Sequence, residues 1–361
     1  MSIAEHAPFQ LQRIGLIMEP NPSDPSEAWG VLNPASARAH DGQFYLFPRV
    51  VAEGNYSRIG IARVNFDEEG NPAGVERLGY ALEPEEPYER SERSTGGVED
   101  PRITYVEPLG CWVMAYVALS AMGPRIALAI SHDLFTWKRL GMLEYETSHD
   151  VDFGQYGNKD GMLFPTAVLD PEGKPALAIL HRPTYLIHRD DGTVTLQIPA
   201  GVEEERESIW IGYMSLERAR EDIRNLAQVY GNTLVAVPEF AWESLKIGGG
   251  TPPVRISQGW LTFYHGVSGF YSLNPALPKH VVYTAGALVL DGEDPRKTIY
   301  RSPEPVLQPD EHGEQYGIVP NVVFPTAIDL RDHERLDVYY GMADSRIGVA
   351  TTSVPEQLPI E

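Results

Sequence analysis

Basic residues are scarce in this 361-residue chain. Lys and Arg number 29 against 51 Asp and Glu, which gives a formal net charge of −22. A protein this acidic repels phosphate backbones and anionic lipid surfaces, so we expect neither nucleic acid nor a membrane as a partner. An anionic ligand can bind only where basic side chains cluster locally.

Cysteine is almost absent, because Cys111 is the single example. No intramolecular disulfide framework can therefore form. The position of Cys111 between Gly110 and Trp112 favours a core or turn role over that of a nucleophile. Sequence patterns typical of zinc sites, Walker loops and GxSxG elbows are missing as well, so neither a metal nor a cofactor is expected.

Long apolar runs are also lacking. No stretch approaches the ~20 residues that span a bilayer. The first residues, MSIAEHAPFQLQRIG, show no basic start followed by an apolar segment, so no secretory signal is predicted. We therefore expect a cytoplasmic protein.

A degenerate four-part repeat occurs five times along the chain. Each copy has a proline-containing segment, an aromatic-rich strand, a strand of small alternating residues and a final strand. The prolines that mark the copies are Pro34, Pro101, Pro165, Pro253 and Pro325, at intervals of 67, 64, 88 and 72 residues. No fourth strand follows the last copy, whereas an extra strand, QRIGLIMEP (Gln12–Pro20), precedes the first.

This pattern predicts an all-β fold, a five-bladed β-propeller closed by the N-terminal strand. The alternative is a generic all-β chain in which turns have been aligned too freely. Residues 1–361 are expected to form a single domain. The helical spacing of Leu216, Ala219 and Leu226 predicts a short helical insertion near 215–230.

The repeat also predicts which side chains meet, because the first strands of propeller blades line the central channel. One mouth should be lined by the segments around Asn33, Asp100, Lys159, Lys246–Gly250 and Asn321, and by the second-strand ends at Arg49, Tyr116, His181-Arg182, His265 and Asp344. Four of these, Lys159, Arg182, Lys246 and His265, form a candidate oxyanion or phosphate site beside the glycines of KIGGG. Taken singly, each also has an ordinary structural explanation.

Eight ordered blocks resemble those of glycoside hydrolase family 130. They are EDPRIT, NKDGMLFP, LHRP, SLKIGGGTPPV, FYHGV, DGEDPRKTIYRSPEPVLQP, VPNVVFPTA and YYGMADSRIGVATT, and they extend from about Asn33 to Thr352. The resemblance implies a five-bladed propeller that acts on β-mannosides. Most known members are inverting phosphorylases that use inorganic phosphate and release α-mannose 1-phosphate, and a minority hydrolyse β-1,2-mannosides.

The resemblance also assigns roles. Asp100 of EDPR matches the catalytic acid, which would protonate the leaving oxygen through the 3-hydroxyl of the mannose. The matches to phosphate ligands are Lys159, Arg182, Lys246, His265 and Tyr283. Matches to contacts of the mannose in the −1 subsite are Asn33, Arg49 and Asp344. We add Glu99, Arg102, Tyr116 and Asp160 as substrate-binding or positioning candidates.

One departure bears on phosphate binding. Lys159-Asp160 stands where many phosphorylases have Arg-Asn, so a bidentate fork is lost and a carboxylate is added. The acidic segment with Glu203, Glu204, Glu205 and Glu207 could supply the general base of a hydrolase, although a solvated loop is the simpler interpretation.

Three hypotheses follow. The first is a β-mannoside phosphorylase and the second is an inverting β-mannosidase. The acid lies on repeat two and the cations lie on repeats three and four, which favours the phosphorylase. A propeller that binds carbohydrate without turnover is the third hypothesis. The expected partners are a small carbohydrate and phosphate as co-substrate, and a homo-oligomer is possible.

Overall fold

The computed structural model describes residues 8–91, 96–188, 193–270, 280–332 and 335–359. Strands dominate these residues, so the all-β prediction is confirmed. The first seven residues, on which part of the argument about a secretory signal depends, lie outside the described residues.

The strands are β1 (Gln12–Met18), β2 (Gly30–Arg38), β3 (Phe44–Ala52), β4 (Tyr56–Phe66), β5 (Pro72–Leu82), β6 (Gly96–Val106), β7 (Cys111–Ser120), β8 (Gly123–Ser131), β9 (Lys138–Met142), β10 (Glu144–Tyr145), β11 (Tyr156–Leu163), β12 (Val168–Leu169), β13 (Pro175–His188), β14 (Val194–Leu196), β15 (Ile209–Met214), β16 (Gln228–Ala236), β17 (Lys246–Gly248), β18 (Val254–Ile256), β19 (Gly259–Phe270), β20 (His280–Leu290), β21 (Thr298–Arg301), β22 (Val323–Asp332), β23 (Arg335–Met342) and β24 (Arg346–Ser353). The α-helices are α1 (Leu216–Glu221) and α2 (His312–Gln315). Single 3-10 turns cover Pro25–Glu27, Glu53–Asn55, Pro87–Glu89, Glu107–Leu109, Phe153–Gln155, Ile223–Ala227 and Ala241–Glu243.

Antiparallel pairing defines five groups of four strands, one for each sequence repeat, and a short parallel pairing of β4 with β6 joins the first two groups into one sheet. We call the five groups units 1 to 5, and in order of pairing they are β2-β3-β4-β5, β6-β7-β8-β9, β11-β13-β15-β16, β17-β19-β20-β21 and β22-β23-β24-β1. The N-terminal strand β1 pairs antiparallel with β24, with Gln12 opposite Thr351, which is the partner that the repeat predicts. The arrangement of the five units as a closed ring stays a prediction at this point.

Apolar clusters lie between the units. Strands alternate their side chains between two faces, so a strand with apolar residues on both faces can pack on both sides. One cluster combines Val113 of unit 2 with Ile179 of unit 3. Another combines Leu46 of unit 1 with Tyr339 of unit 5. Similar clusters join units 1 and 2, units 3 and 4, and units 4 and 5.

A buried glutamate ties the segment that enters a unit to that unit's outermost strand. In unit 2, Glu89 is fully buried and its Oε1 accepts hydrogen bonds from the Tyr116 hydroxyl at 2.6 Å and from Arg139 Nε at 2.8 Å. Its Oε2 accepts from the backbone N–H of Glu85 and Glu86. We call this arrangement a clasp.

The clasp recurs elsewhere. Unit 4 uses Glu243, Arg301 and Tyr264, and unit 5 uses Glu314, Arg13 and Tyr340. Unit 1 keeps the Glu27–Arg77 ion pair, whereas in unit 3 His181 contacts Asn232 and Asn158 instead. Because Arg13 lies on β1, the clasp of unit 5 joins the two ends of the chain.

Near 215–230, where the sequence predicts a short helical insertion, the structure has α1 and the 3-10 turn at Ile223–Ala227, and β16 begins at Gln228. One detail of the sequence prediction is wrong. The four-part repeat assigns the segment RSPEPVLQP (Arg301–Pro309) to the fourth strand of copy four, but the structure has this strand at Thr298–Arg301. Pro303, Pro305 and Pro309 lack a backbone N–H, so the later segment cannot sustain a ladder.

Cys111 is buried in an apolar cluster, which agrees with its expected core role, and burial raises the pKa of its thiol. Throughout the described residues, every helix is too short or too polar to cross a lipid bilayer.

The clasp of unit 5 predicts a stability effect. Arg13→Ala leaves the buried Glu314 carboxylate without its cation, so the free energy of unfolding should fall by about 3 kcal/mol in urea denaturation. The exposed Arg63–Glu76 ion pair provides the control. Arg63→Ala should lower the free energy of unfolding by less than about 1 kcal/mol. Equal losses in the two variants would contradict a structural role for the clasp.

Candidate active site

A bulge at the head of the first strand recurs in units 1, 2 and 3. The pairing register shifts between Leu32 and Ala35, between Glu99 and Arg102, and between Lys159 and Met162. The bulges contain Asn33, Asp100 and Asp160, whose φ angles are 43°, 44° and 58°. Such left-handed residues cost about 1–3 kcal/mol each and often occur at functional sites.

These three side chains line one cavity of about 340 Å³. The lining residues are Asn33, Arg49, Asp100, Lys159, Asp160, Arg182, Thr184, Glu207, Lys246, His265, Val281, Tyr283, Val319, Val322, Phe324 and Asp344. All five units contribute to it. The cavity therefore contains ten of the thirteen side chains to which the sequence analysis gave a catalytic, phosphate-binding or substrate-binding role, including Asp100 and all five phosphate candidates.

Glu99 and Arg102 do not line the cavity but support residues that do. Glu99 Oε1 accepts from Arg49 Nη2 at 2.5 Å. Arg102 is almost fully buried, and it donates to the carbonyl of Asp100 at 2.8 Å and to that of Gly250 at 2.6 Å. Their position agrees with a positioning role and not with direct substrate contact.

Tyr116 was expected at the cavity, but its side chain belongs to the clasp of unit 2. His181 is likewise held by Asn158 and Asn232. Successive residues of a strand point to opposite faces, so a position one residue away from the right one lies on the wrong side. In unit 3 the next residue, Arg182, is the one that lines the cavity.

Asp100 lies at one end of the cavity with Asn33 and Arg49. Asp100 Oδ1 accepts from Asn33 Nδ2 at 2.9 Å and from Arg49 Nη1 at 3.2 Å. Among the described residues, no donor is bonded to Asp100 Oδ2. Burial would raise the pKa of Asp100, but attraction by Arg49, Lys159 and Arg102 outweighs it, so the pKa lies below its ordinary value. We call this group the acid end.

Asp344 is a second carboxyl at the acid end. Burial raises its pKa from 3.8 to about 6, and the negative charge of Asp100 adds to this, although Arg49 opposes it. Two carboxyls of one cavity thus have their pKa values pushed apart, which is a common property of sites that handle protons.

The other end of the cavity is cationic, and we call it the anion end. Arg182 lies opposite Lys159 in the β11–β13 pair. Arg182 Nε donates to Asp160 Oδ2 at 2.6 Å, which fixes the guanidinium against a buried carboxylate. Lys246 Nζ lies 5.9 Å from the centre of the Tyr283 ring. The pKa of Asp160 is low because Arg182 and the neighbouring histidine and arginine overcome its burial.

His265 completes the anion end as a neutral donor or acceptor. Burial lowers the pKa of its ring to about 3, and Arg182 and Lys246 add to this. Its Nδ1 lies 2.8 Å from the Gly249 carbonyl, so this nitrogen carries the proton and Nε2 is an acceptor. The ring stacks on Tyr283 with the centroids 5.7 Å apart.

The glycines of KIGGG allow this packing. A Cβ on Gly248 would lie 2.4 Å from Asp160 Oδ2 and from His265 Cε1, and 2.5 Å from Arg182 Nε. Only glycine leaves these three side chains in place.

Several lining residues were missed by sequence reasoning. Thr184, Val281, Val319, Val322 and Phe324 are ordinary residue types without a chemical signal. Glu207 was interpreted as part of a solvated acidic loop. In the structure its side chain is only 24% exposed, and its Oε2 contacts Arg182 Nη1 and lies 3.6 Å from Lys246 Nζ. The other acidic residues of that segment do not line the cavity.

No group of three or more His, Cys, Asp and Glu side chains with metal-binding geometry occurs among the described residues. The chemistry that the cavity can perform with its own groups is recognition of an anion at one end and proton transfer at the other.

Comparison with known proteins identifies the family of the chain. A model of glycoside hydrolase family 130, described as beta-1,4-mannooligosaccharide phosphorylase, matches residues 11–360. A 1,2-beta-oligomannan phosphorylase from Thermoanaerobacter sp. (strain X514) is 30% identical over 339 residues, which are 92% of this chain and 93% of the relative. The chain belongs to glycoside hydrolase family 130.

Two further relatives are similar to parts or all of the chain. A Beta-1,4-mannooligosaccharide phosphorylase from Ruminococcus albus is 42% identical over 125 residues, which are 33% of this chain and 34% of the relative. The solved structure of a Beta-1,2-Mannobiose phosphorylase from Listeria innocua, in complex with beta-1,2-mannobiose, has a TM-score of 0.69 at 20% identity, with 95% and 97% of the two chains covered. This structural likeness supports the fold.

The raised pKa of Asp344 predicts a pH effect on stability. Between pH 4 and 6 the folded protein holds a proton that the unfolded chain has released, so this stabilisation is complete below pH 4 and is lost as the pH rises through 6. Asp344→Asn removes the effect. From pH 4 to 7.5, the free energy of unfolding of the unsubstituted protein should fall by about 2–3 kcal/mol relative to the variant. Urea denaturation at both pH values measures this difference.

The exposed Asp150→Asn is the matched control and should follow the unsubstituted protein at both pH values. If the free energies of unfolding of Asp344→Asn and of the unsubstituted protein differ by the same amount at pH 4 and at pH 7.5, the raised pKa of Asp344 is contradicted.

Proposed function

We propose that the protein is an inverting β-mannoside phosphorylase. It cleaves a β-mannosidic bond with inorganic phosphate and releases α-mannose 1-phosphate. The observation that carries the proposal is the pairing, in one cavity, of a carboxyl at the acid end with Arg182, Lys246 and Lys159 at the anion end. An inverting reaction needs an acid and a nucleophile on opposite faces of the sugar, and these two ends supply sites for both.

Phosphate is the nucleophile in this mechanism. One of its oxygens attacks the anomeric carbon while the bond from that carbon to the leaving oxygen breaks, so the configuration inverts. Arg182 and Lys246 bind and orient the anion through charge-assisted hydrogen bonds, and the Tyr283 ring packs beside them. Neutral His265 adds a polar contact without adding charge.

Asp100 supplies the proton that the leaving oxygen takes, directly or through a sugar hydroxyl. Its pKa is low in the empty cavity partly because Lys159 is near. Lys159 lines the same cavity and its backbone pairs with that of Arg182, so phosphate bound beside Arg182 reduces the positive charge that holds this pKa down. Phosphate binding therefore raises the pKa of Asp100 and prepares it to act as an acid.

Asn33, Arg49 and Asp344 hold the mannose in this proposal. All three line the cavity beside Asp100, and Glu99 fixes Arg49 from behind. The named relatives include phosphorylases of β-1,2-linked and β-1,4-linked substrates, and both linkages are candidates for this protein.

We also infer that the five units form a closed five-bladed β-propeller. Apolar clusters between consecutive units, including units 5 and 1, support this arrangement. So does the pairing of β1 with β24, since it covers what would otherwise be an exposed edge.

The hydrolytic alternative requires a carboxylate that is open to water on the face opposite the acid. Glu207 is the residue of the acidic segment that reaches the cavity, and its Oε2 is occupied by Arg182 and Lys246. The anion end therefore favours phosphate over an activated water.

Phosphate dependence tests the proposal directly. With β-1,2- and β-1,4-mannobiose as substrates, removal of inorganic phosphate should abolish breakdown, because the nucleophile is missing. Phosphorus NMR should show α-mannose 1-phosphate when phosphate is present, and the reverse reaction with a panel of acceptor sugars should identify the linkage. Equal rates of mannose release with and without phosphate would contradict phosphorolysis.

Asp100→Asn tests the acid. The variant should lose about 10²–10⁴-fold in kcat because general acid catalysis contributes that much, while mannobiose binding measured by calorimetry persists. The exposed Asp67→Asn is the control and should retain both properties. Full turnover in Asp100→Asn would remove Asp100 from the mechanism.

A further inference from the structure

Glu207 occupies the position where an anionic ligand of the anion end would bind. The same oxygen, Oε2, contacts Arg182 Nη1 and lies 3.6 Å from Lys246 Nζ. Carboxylates and phosphates use the same donors of an arginine fork, so an oxygen held in this way is equivalent to one oxygen of a bound phosphate.

Arg182 is held by two carboxylates of different kinds. Asp160 is buried, with 3% of its side chain exposed, and bonds to Arg182 Nε from behind. Glu207 is partly exposed and contacts the outer Nη1. An incoming anion can replace Glu207 without disturbing the bond to Asp160, which keeps the guanidinium in place.

The backbone at Glu207 is fixed, whereas within the part of the chain that the structure describes its carboxylate forms ion pairs with Arg182 and Lys246 alone. The Glu207 carbonyl accepts from the backbone N–H of Ile247 at 3.1 Å, and the following Ser208 is fully buried with its hydroxyl bonded to the Arg206 carbonyl. Exchange of Glu207 for another anion therefore requires only rotation of its side chain.

Charge balance indicates why a resident anion is present. The four cationic side chains that line the cavity, Arg49 among them, are matched by four acidic ones, of which Glu207 is one. Without Glu207, Arg182 and Lys246 would repel each other in an empty site. With Glu207 in place, Arg182 and Lys246 are matched by Asp160 and Glu207, and a phosphate must compete with Glu207 for their donors.

We propose that Glu207 is a competing anion of the phosphate subsite, which inorganic phosphate displaces from Arg182 and Lys246 before reaction. This inference rests on the proposed phosphorylase activity. Glu207 weakens the affinity for phosphate and keeps the cations in position while the subsite is empty. It acts on phosphate binding and takes no part in proton transfer to the leaving oxygen.

Glu207→Gln tests this role, because glutamine keeps the size of the side chain and removes its charge. The KM for phosphate should fall about three- to tenfold, while the KM for mannobiose and the kcat at saturating phosphate stay within about twofold. The dissociation constant of inorganic phosphate, measured by calorimetry without sugar, should fall by the same factor. Lys246→Ala should change the phosphate KM in the opposite direction.

Thermal unfolding supplies a readout that does not depend on turnover. Glu207→Gln should have a lower Tm than the unsubstituted protein in phosphate-free buffer, and added phosphate should raise its Tm by more. The exposed Glu205→Gln, from the same acidic segment, is the control and should match the unsubstituted protein in every measurement.

The outcomes separate the two proposals. An unchanged or increased phosphate KM and dissociation constant in Glu207→Gln, with phosphate-dependent turnover intact in the unsubstituted protein, would overturn the role of Glu207 alone. Mannobiose breakdown that needs no phosphate, and that Glu207→Gln abolishes, would overturn both and make Glu207 the base of a hydrolase.

Discussion

The structure depends on a buried carboxylate at the entrance to four of its five units. Glu27, Glu89, Glu243 and Glu314 each accept hydrogen bonds from backbone N–H groups of their own turn and from an arginine on the outermost strand of the unit. Each carboxylate is costly to bury and is compensated only when all its partners are in place. The entering segment and the outermost strand are thereby fixed together, and the first strand, whose bulge carries Asn33 or Asp100 in units 1 and 2, follows directly from that segment.

The cavity separates charges that would otherwise neutralise each other. Asp160 holds Arg182 through Nε and Glu99 holds Arg49 through Nη2. The Nη1 group of each guanidinium instead contacts a carboxylate that lines the cavity, Glu207 for Arg182 and Asp100 for Arg49. Asp100 and Asp344 share Arg49, but their pKa values shift in opposite directions. Asp100 also gains the charge of Arg102 and a hydrogen bond from Asn33, whereas at Asp344 burial and the charge of Asp100 outweigh the attraction of Arg49. Glycine at position 248 permits the closest contacts of the anion end. In the proposed function, one end of the cavity binds the anion and the other binds the neutral sugar and supplies the proton.

The sequence predicts the strands and most of the cavity, because a proline recurs within or shortly after each first strand and a polar residue precedes it at Asn33 and Asp100. The sequence-based prediction fails where a shift of one residue along a strand decides on which face of the sheet a side chain lies. Arg49 and Tyr116 have the same offset of 15 from their prolines, yet Arg49 lines the cavity and Tyr116 belongs to a clasp. Neither could the ion pairs of Glu207 be predicted, since they join segments that only the folded chain brings together. Contacts such as Val322 and Phe324 carry no chemical signature.

The pairing of β1 with β24 has a consequence for synthesis of the protein. Gln12 emerges from the ribosome long before Thr351, its partner, and at about 5–20 residues per second the delay is roughly 20–70 s. During that time unit 5 lacks its outermost strand and Arg13 lacks Glu314. The chain must therefore keep its first strand unpaired until nearly the whole sequence has been translated. The glycine at position 15 and the partly exposed pattern of β1 reduce its tendency to pair with other chains while it waits.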